Sequence, residues 1–131
     1  MFTSHPASVR AYRESEVLTA SKERLLVLTF DALVAALMRA KVGAGMENRE
    51  ICHDGLDRAR GLLTELLVTL DYEAGGDLAK RLSAVYVFVL GDLDQLALHP
   101  DARRLERHAL MMTELRDAFA EAAVAQVAGA A

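Results

Sequence analysis

Apolar residues recur along this chain at the three- and four-residue steps of a helix, not at the alternate positions of a strand. From about residue 47 to 70, Ile51, Gly55, Ala59, Leu62, Leu66 and Leu70 step by four, four, three, four and four, and the opposite face is charged. From about 77 to 98, Leu78, Leu82, Val85, Val89, Leu93 and Leu96 keep the same rhythm. The β-branched run Val85-Tyr86-Val87-Phe88-Val89-Leu90 lies inside that long helical period, and the length decides for helix over strand. A segment from about 101 to 124 turns Leu105, Ala109, Met112, Leu115 and Phe119 inward. Another, from about 21 to 42, is apolar almost all round, because only Thr29 and Asp31 are polar between Leu25 and Met38.

Polar and glycine-containing breaks separate these segments. Ser21 is placed to cap the first, Gly43-Ala44-Gly45 to end it, Asp77 to cap the third after Gly75-Gly76, and His99-Pro100-Asp101 to open the last. Residues 1–18 hold Pro6 and scattered Val9, Tyr12, Val17 and Leu18 without sustained periodicity, which predicts an arm. Four helices of about 20 residues joined by short connections predict an all-α, antiparallel up-down-up-down four-helix bundle with an N-terminal arm, in a single domain over 1–131.

A bundle helix needs one apolar stripe, and the first helix has far more. Either it is the most central helix, or the surplus is covered by the arm, by a second copy about a twofold axis, or by a partner's helix lying in a groove. Composition agrees with helices: 53% of the 131 residues are hydrophobic but only 5% aromatic, so the apolar mass is Leu, Ala and Val. A net charge of −4 gives no electrostatic footprint for nucleic acid or an anionic membrane. No apolar run approaches the roughly 18 residues of a membrane span. A lone Cys52 and an N-terminus without a signal-peptide pattern lead to the expectation of a cytoplasmic protein.

Candidate chemistry is sparse. Glu50 and His53 form one Glu-x-x-His unit of the kind used in di-iron bundles, but those sites need two units and two further inward glutamates. No metal, cofactor or catalytic set is therefore expected. Gly75-Gly76 has neither the preceding strand nor the following Gly-Lys-Ser/Thr of a phosphate loop. Asp31 either reaches solvent or bonds across a helix interface, and of Met111 and Met112 one belongs to the core and one to its boundary.

Five ordered blocks of this chain resemble the FliS family of flagellar secretion chaperones, over about residues 11 to 119. They are Ala11-Tyr12 with Val17-Leu18-Thr19-Ala20-Ser21, Glu23 and Leu25; Leu28-Thr29-Phe30-Asp31-Ala32-Leu33; and Glu65-Leu66-Leu67-Val68-Thr69-Leu70-Asp71 with Gly75-Gly76-Asp77-Leu78-Ala79-Lys80-Arg81-Leu82. Val85-Tyr86-Val87-Phe88-Val89 and Leu115-Arg116-Asp117-Ala118-Phe119 complete the set. Departures run toward fewer polar groups: Phe30 stands for a family Tyr, and Val87 and Phe88 for Asp and Tyr.

The resemblance implies a non-enzymatic bundle that binds the C-terminal segment of flagellin, disordered in the free subunit, so preventing premature polymerisation and supporting type III export. It implies that the arm around Tyr12, Val17 and Leu18 covers part of a groove in the free protein. Client contacts are expected on that arm and at Leu67, Leu78, Leu82 and Tyr86. Export-gate components and flagellar regulators are further partners it implies, and a free homodimer stays open. A metal-dependent bundle enzyme on Glu50 and His53, and a self-associating scaffold, are the alternative readings.

Overall fold

Short polar side chains set the helix boundaries in the computed structural model, which describes the backbone of residues 7–130 and the side chains of 8–10 and 22–125. The elements are α1 (Ala7–Gly45), α2 (Arg49–Val68), α3 (Tyr72–Leu98) and α4 (Ala102–Ala130), and the described residues include no strand. Asn48 accepts from the Ile51 amide to start α2. Asp71 accepts from the amides of Glu73 and Ala74 at the start of α3, and Asp101 does the same for Arg103 and Arg104 at α4. Each carboxylate or amide oxygen thus satisfies backbone donors that a helix start leaves free.

Several expected boundaries move. Residues 7–18, read from the sequence as an arm, are helical and continuous with α1, so Ser21 lies inside a helix and not at its start. The physical reason is that Ala, Arg, Glu and Leu in this stretch are good helix formers, and lengthening an existing helix carries no nucleation cost. The last helix, expected over about 101 to 124, runs on to Ala130. Asp77 is not the cap of α3, which begins one turn earlier behind Asp71 and breaks at Gly76, where φ is 50° and ψ is −124°. The glycine pair is the expected break, placed within α3 instead of before it.

α1 ends at Gly45, inside the expected Gly43-Ala44-Gly45 break, and Gly43 has a further part to play. A Cβ on it would fall 2.3 Å from the backbone nitrogen of Cys52, so glycine is there to let α1 and α2 touch. Gly55 serves the same contact from the other side, 2.5 Å from the Ala40 nitrogen by the same measure. The left-handed residue after α1 is Glu47, with φ of 56°.

α1 packs along both α2 and α4, and α3 lies on α2. Between α1 and α4, Asp31 pairs with Arg116 at 2.7 Å and Lys41 with Glu106 at 3.4 Å, so residue numbers fall on one helix as they rise on the other. Asp31 therefore bonds across a helix interface. The core joins Phe30, Leu33 and Leu37 of α1, Leu56 and Leu63 of α2, Tyr86, Leu93 and Leu96 of α3, and Leu105 and Met112 of α4. Met111 lies at its boundary. Asp92 on α3 contacts both Arg104 and His108 of α4, with the Phe88 ring edge-on to the His108 ring.

Candidate functional site

At one end of the molecule the helices do not close on one another. Lys22 to Leu26 of α1 lie level with the last turn of α2, so the helical residues before Lys22 continue past the point where the chain turns back into α3. The space left open is an apolar groove of about 470 Å³. Leu26 of α1, Leu66 and Leu70 of α2, Leu78 and Leu82 of α3, and Phe119 of α4 form its walls.

An aromatic cluster supports the floor. Phe30, fully buried, stacks on Phe119 at 5.5 Å between centroids with 21° between planes, and meets Tyr86 at 6.4 Å and a tilt of 50°. Burial pushes the Tyr86 phenol up to about 12, so it stays neutral and the floor uncharged across the working range of pH. The kink at Gly76 shapes the α3 wall, since Ala74 and Gly75 before it and Leu78 after it all face the groove.

A second, more polar depression of about 510 Å³ adjoins it between α1 and the end of α2. Lys22, Glu23, Glu65 and Asp71 line this mouth beside Leu25, Leu26 and Leu66.

Three of the residues expected at the site from sequence reach the groove: Leu78, 57% exposed, and Leu82 and Tyr86, which are core residues presenting one edge. Leu67 packs against the core and does not contribute to the groove wall. The side chains of Tyr12, Val17 and Leu18 lie outside those described, although their backbone is helical. Leu26, Leu70, Ala74, Phe119 and Ala122 were not singled out. Periodicity marks Leu70 and Phe119 as inward-facing, and inward at the end of a bundle means groove instead of core.

The surplus apolar surface expected of α1 is real: Leu25 and Leu28 remain exposed although α1 has two neighbours. A separate apolar area lies away from the groove at Val87 and Phe88 of α3. Glu50 and His53 are both exposed at the start of α2, and no group of three metal-ligating side chains gathers among the described residues. Cys52 is buried, which pushes its thiol up. Among those residues no helix is long and apolar enough to cross a membrane.

The family model described as flagellar protein FliS matches residues 5–126. The flagellar secretion chaperone FliS of Escherichia coli strain K12 is 30% identical over 109 residues, covering 82% of this chain and 80% of that protein. Its counterpart from Salmonella typhimurium strain LT2 is 28% identical over 124 residues, covering 91% and 90%.

Proposed function

This chain belongs to the FliS family of flagellar proteins, and from that membership we propose that it is a cytoplasmic export chaperone for flagellin. It binds the disordered C-terminal segment of the subunit, holds it as a helix in the groove, prevents premature polymerisation and supports type III export. We read the scaffold as an antiparallel up-down-up-down bundle, for which the opposed pairings of Asp31 with Arg116 and Lys41 with Glu106 speak. Export-gate components and flagellar regulators are further partners in this reading. The work proposed is binding, without a chemical step.

The observation that carries the proposal is the apolar groove at the open end, where Leu26, Leu70, Leu78 and Phe119 face a space that is open among the described residues. A disordered segment must lose conformational entropy to become a helix, and burying its apolar stripe against these walls offsets that cost at about 25 cal/mol per Å². A segment held this way cannot also pack against its neighbours in a filament. The groove thus does two things with one contact, keeping the client soluble and keeping it unassembled.

Calorimetry with a C-terminal flagellin peptide tests this. One-to-one binding is expected, and Leu78→Glu, a change at an exposed position that should leave the fold intact, is expected to weaken it about tenfold. Absence of heat at about tens of micromolar would contradict the proposal.

A further inference from the structure

α3 is apolar on the side it turns away from the bundle as well as on the side it buries. From Leu82 to Gly91 the chain carries no charge. Leu82, Tyr86 and Val89 face the core, whereas Ala84, Val87, Phe88 and Gly91 face outward, Val87 being 54% and Phe88 64% exposed. Steps of three and four residues put these four on one strip. A Cβ added to Gly91 would meet nothing within 4 Å, so no described residue covers the strip there. The groove residues Leu78, Leu82 and Tyr86 lie on the other side of the helix, which makes the strip a second surface, independent of the flagellin reading.

Charge frames the strip unevenly. Lys80 and Arg81 stand exposed at its N-terminal end, and neither enters an ion pair among the described residues. At the other end Asp94, its side chain 73% exposed, shares the single guanidinium of Arg60 with Asp57 of α2, which leaves net negative charge there. Close to four full turns separate Lys80 from Asp94, so both project from the same flank of α3.

We infer that this strip pairs with the same strip of a second copy of the chain, the two α3 helices running antiparallel about a twofold axis beside Val87 and Phe88. A pairing that brings Val87 against Phe88 also sets Ala84 against Gly91, and Arg81, with Lys80 alongside, against Asp94 of the other copy. The basic end of each copy thus meets the acidic end of the other, twice over. The small residues at 84 and 91 let the two backbones approach while Phe88 fills the middle. Parallel pairing would set Lys80 against Lys80 and is disfavoured by like charge. That the strip complements its own reverse, in charge and in side-chain size, selects a second copy over an unrelated helix.

One helix against one helix is a small interface, of the weak and reversible class. Sedimentation equilibrium of the full chain from about 1 to about 500 μM tests the inference. The mass is expected to rise from the 14.3 kDa of one chain toward twice that value. The midpoint is expected at about tens of micromolar. Phe88→Glu, a change at an exposed position, should weaken association at least about tenfold. Lys80→Glu and Asp94→Lys should each weaken it about fivefold, with helix content by circular dichroism unchanged. An equimolar mixture of those two variants should recover to within about threefold of the parent, because opposite charges again face each other at both contacts.

A one-chain mass at every concentration would overturn the inference. So would a two-chain mass that Phe88→Glu leaves untouched, since the contact would then lie on another face. A mixture that associates no better than its two components would overturn it as well. Flagellin peptide takes no part in these measurements, so their failure leaves the flagellin reading standing.

Discussion

Gly43 and Gly55 sit where α1 and α2 touch backbone to backbone, whereas Gly91 faces open space on α3. The same substitution should therefore act in opposite directions. Gly43→Ala forces a methyl into the Cys52 backbone and is expected to lower stability by about 2–3 kcal/mol. Gly91→Ala meets nothing within 4 Å and removes the entropy penalty of glycine in a helix, so it should raise stability by about 0.5–1 kcal/mol. Urea denaturation of both variants checks the pair.

His108 supplies the second prediction at this scale. Burial, followed by the charges of Arg104 and Arg107, holds it below the ordinary histidine range, so the folded protein keeps it neutral and able to donate to Asp92. The unfolded chain takes up the proton at higher pH than the folded one, and the stability His108 contributes is present above the ordinary histidine value. It is lost as pH falls through the depressed one. Between about pH 7.5 and pH 5.5 the parent should lose more stability than His108→Gln, a difference that denaturation midpoints at the two pH values measure.

At the scale of elements, the helices and their inward faces were legible because Leu, Val, Ala and Met keep an unbroken helical step. Leu82, Val89, Leu93 and Leu96 of α3 are buried as their spacing requires. The ends were less legible, since a boundary is decided by one or two side chains. Asp71 and Asp77 are equally good caps by type, and Asp71 wins by starting a turn that Gly76 then breaks. The helical state of residues 7–18, read as an arm, was not legible for a related reason. Periodicity reports burial, and a helix that outruns its partners can be built on propensity without it.

Of the groove residues, Leu78 and Leu82 lie on the helical step of α3, and they and Tyr86 were named from the family resemblance. Leu26 and Ala122 become groove residues only because α2 and α3 turn back beside them, a fact of tertiary arrangement that no local spacing contains. Gly76 is the element-level test. Its backbone conformation suits glycine, so Gly76→Ala should cost about 1–2 kcal/mol and, by redirecting the turn that carries Ala74 and Gly75, weaken client binding as well. Thermal denaturation and peptide titration of the same variant read the two effects.

On the scale of the whole molecule, the arrangement separates a closed core from an open end. Ion pairs and fully buried leucines fix the middle of the bundle, and the groove is the place where α1 and α4 pass the turn that joins α2 to α3. The apolar area at Val87 and Phe88 is a natural internal control, being exposed yet outside the groove. The most direct test is an NMR titration of the labelled chain with the C-terminal flagellin peptide. The account predicts that methyl signals of Leu26, Leu66, Leu70 and Leu78 and the ring of Phe119 shift and saturate together at one equivalent, while Val87 and Phe88 stay in place. Shifts centred on Val87 and Phe88 with the groove leucines unmoved would contradict it.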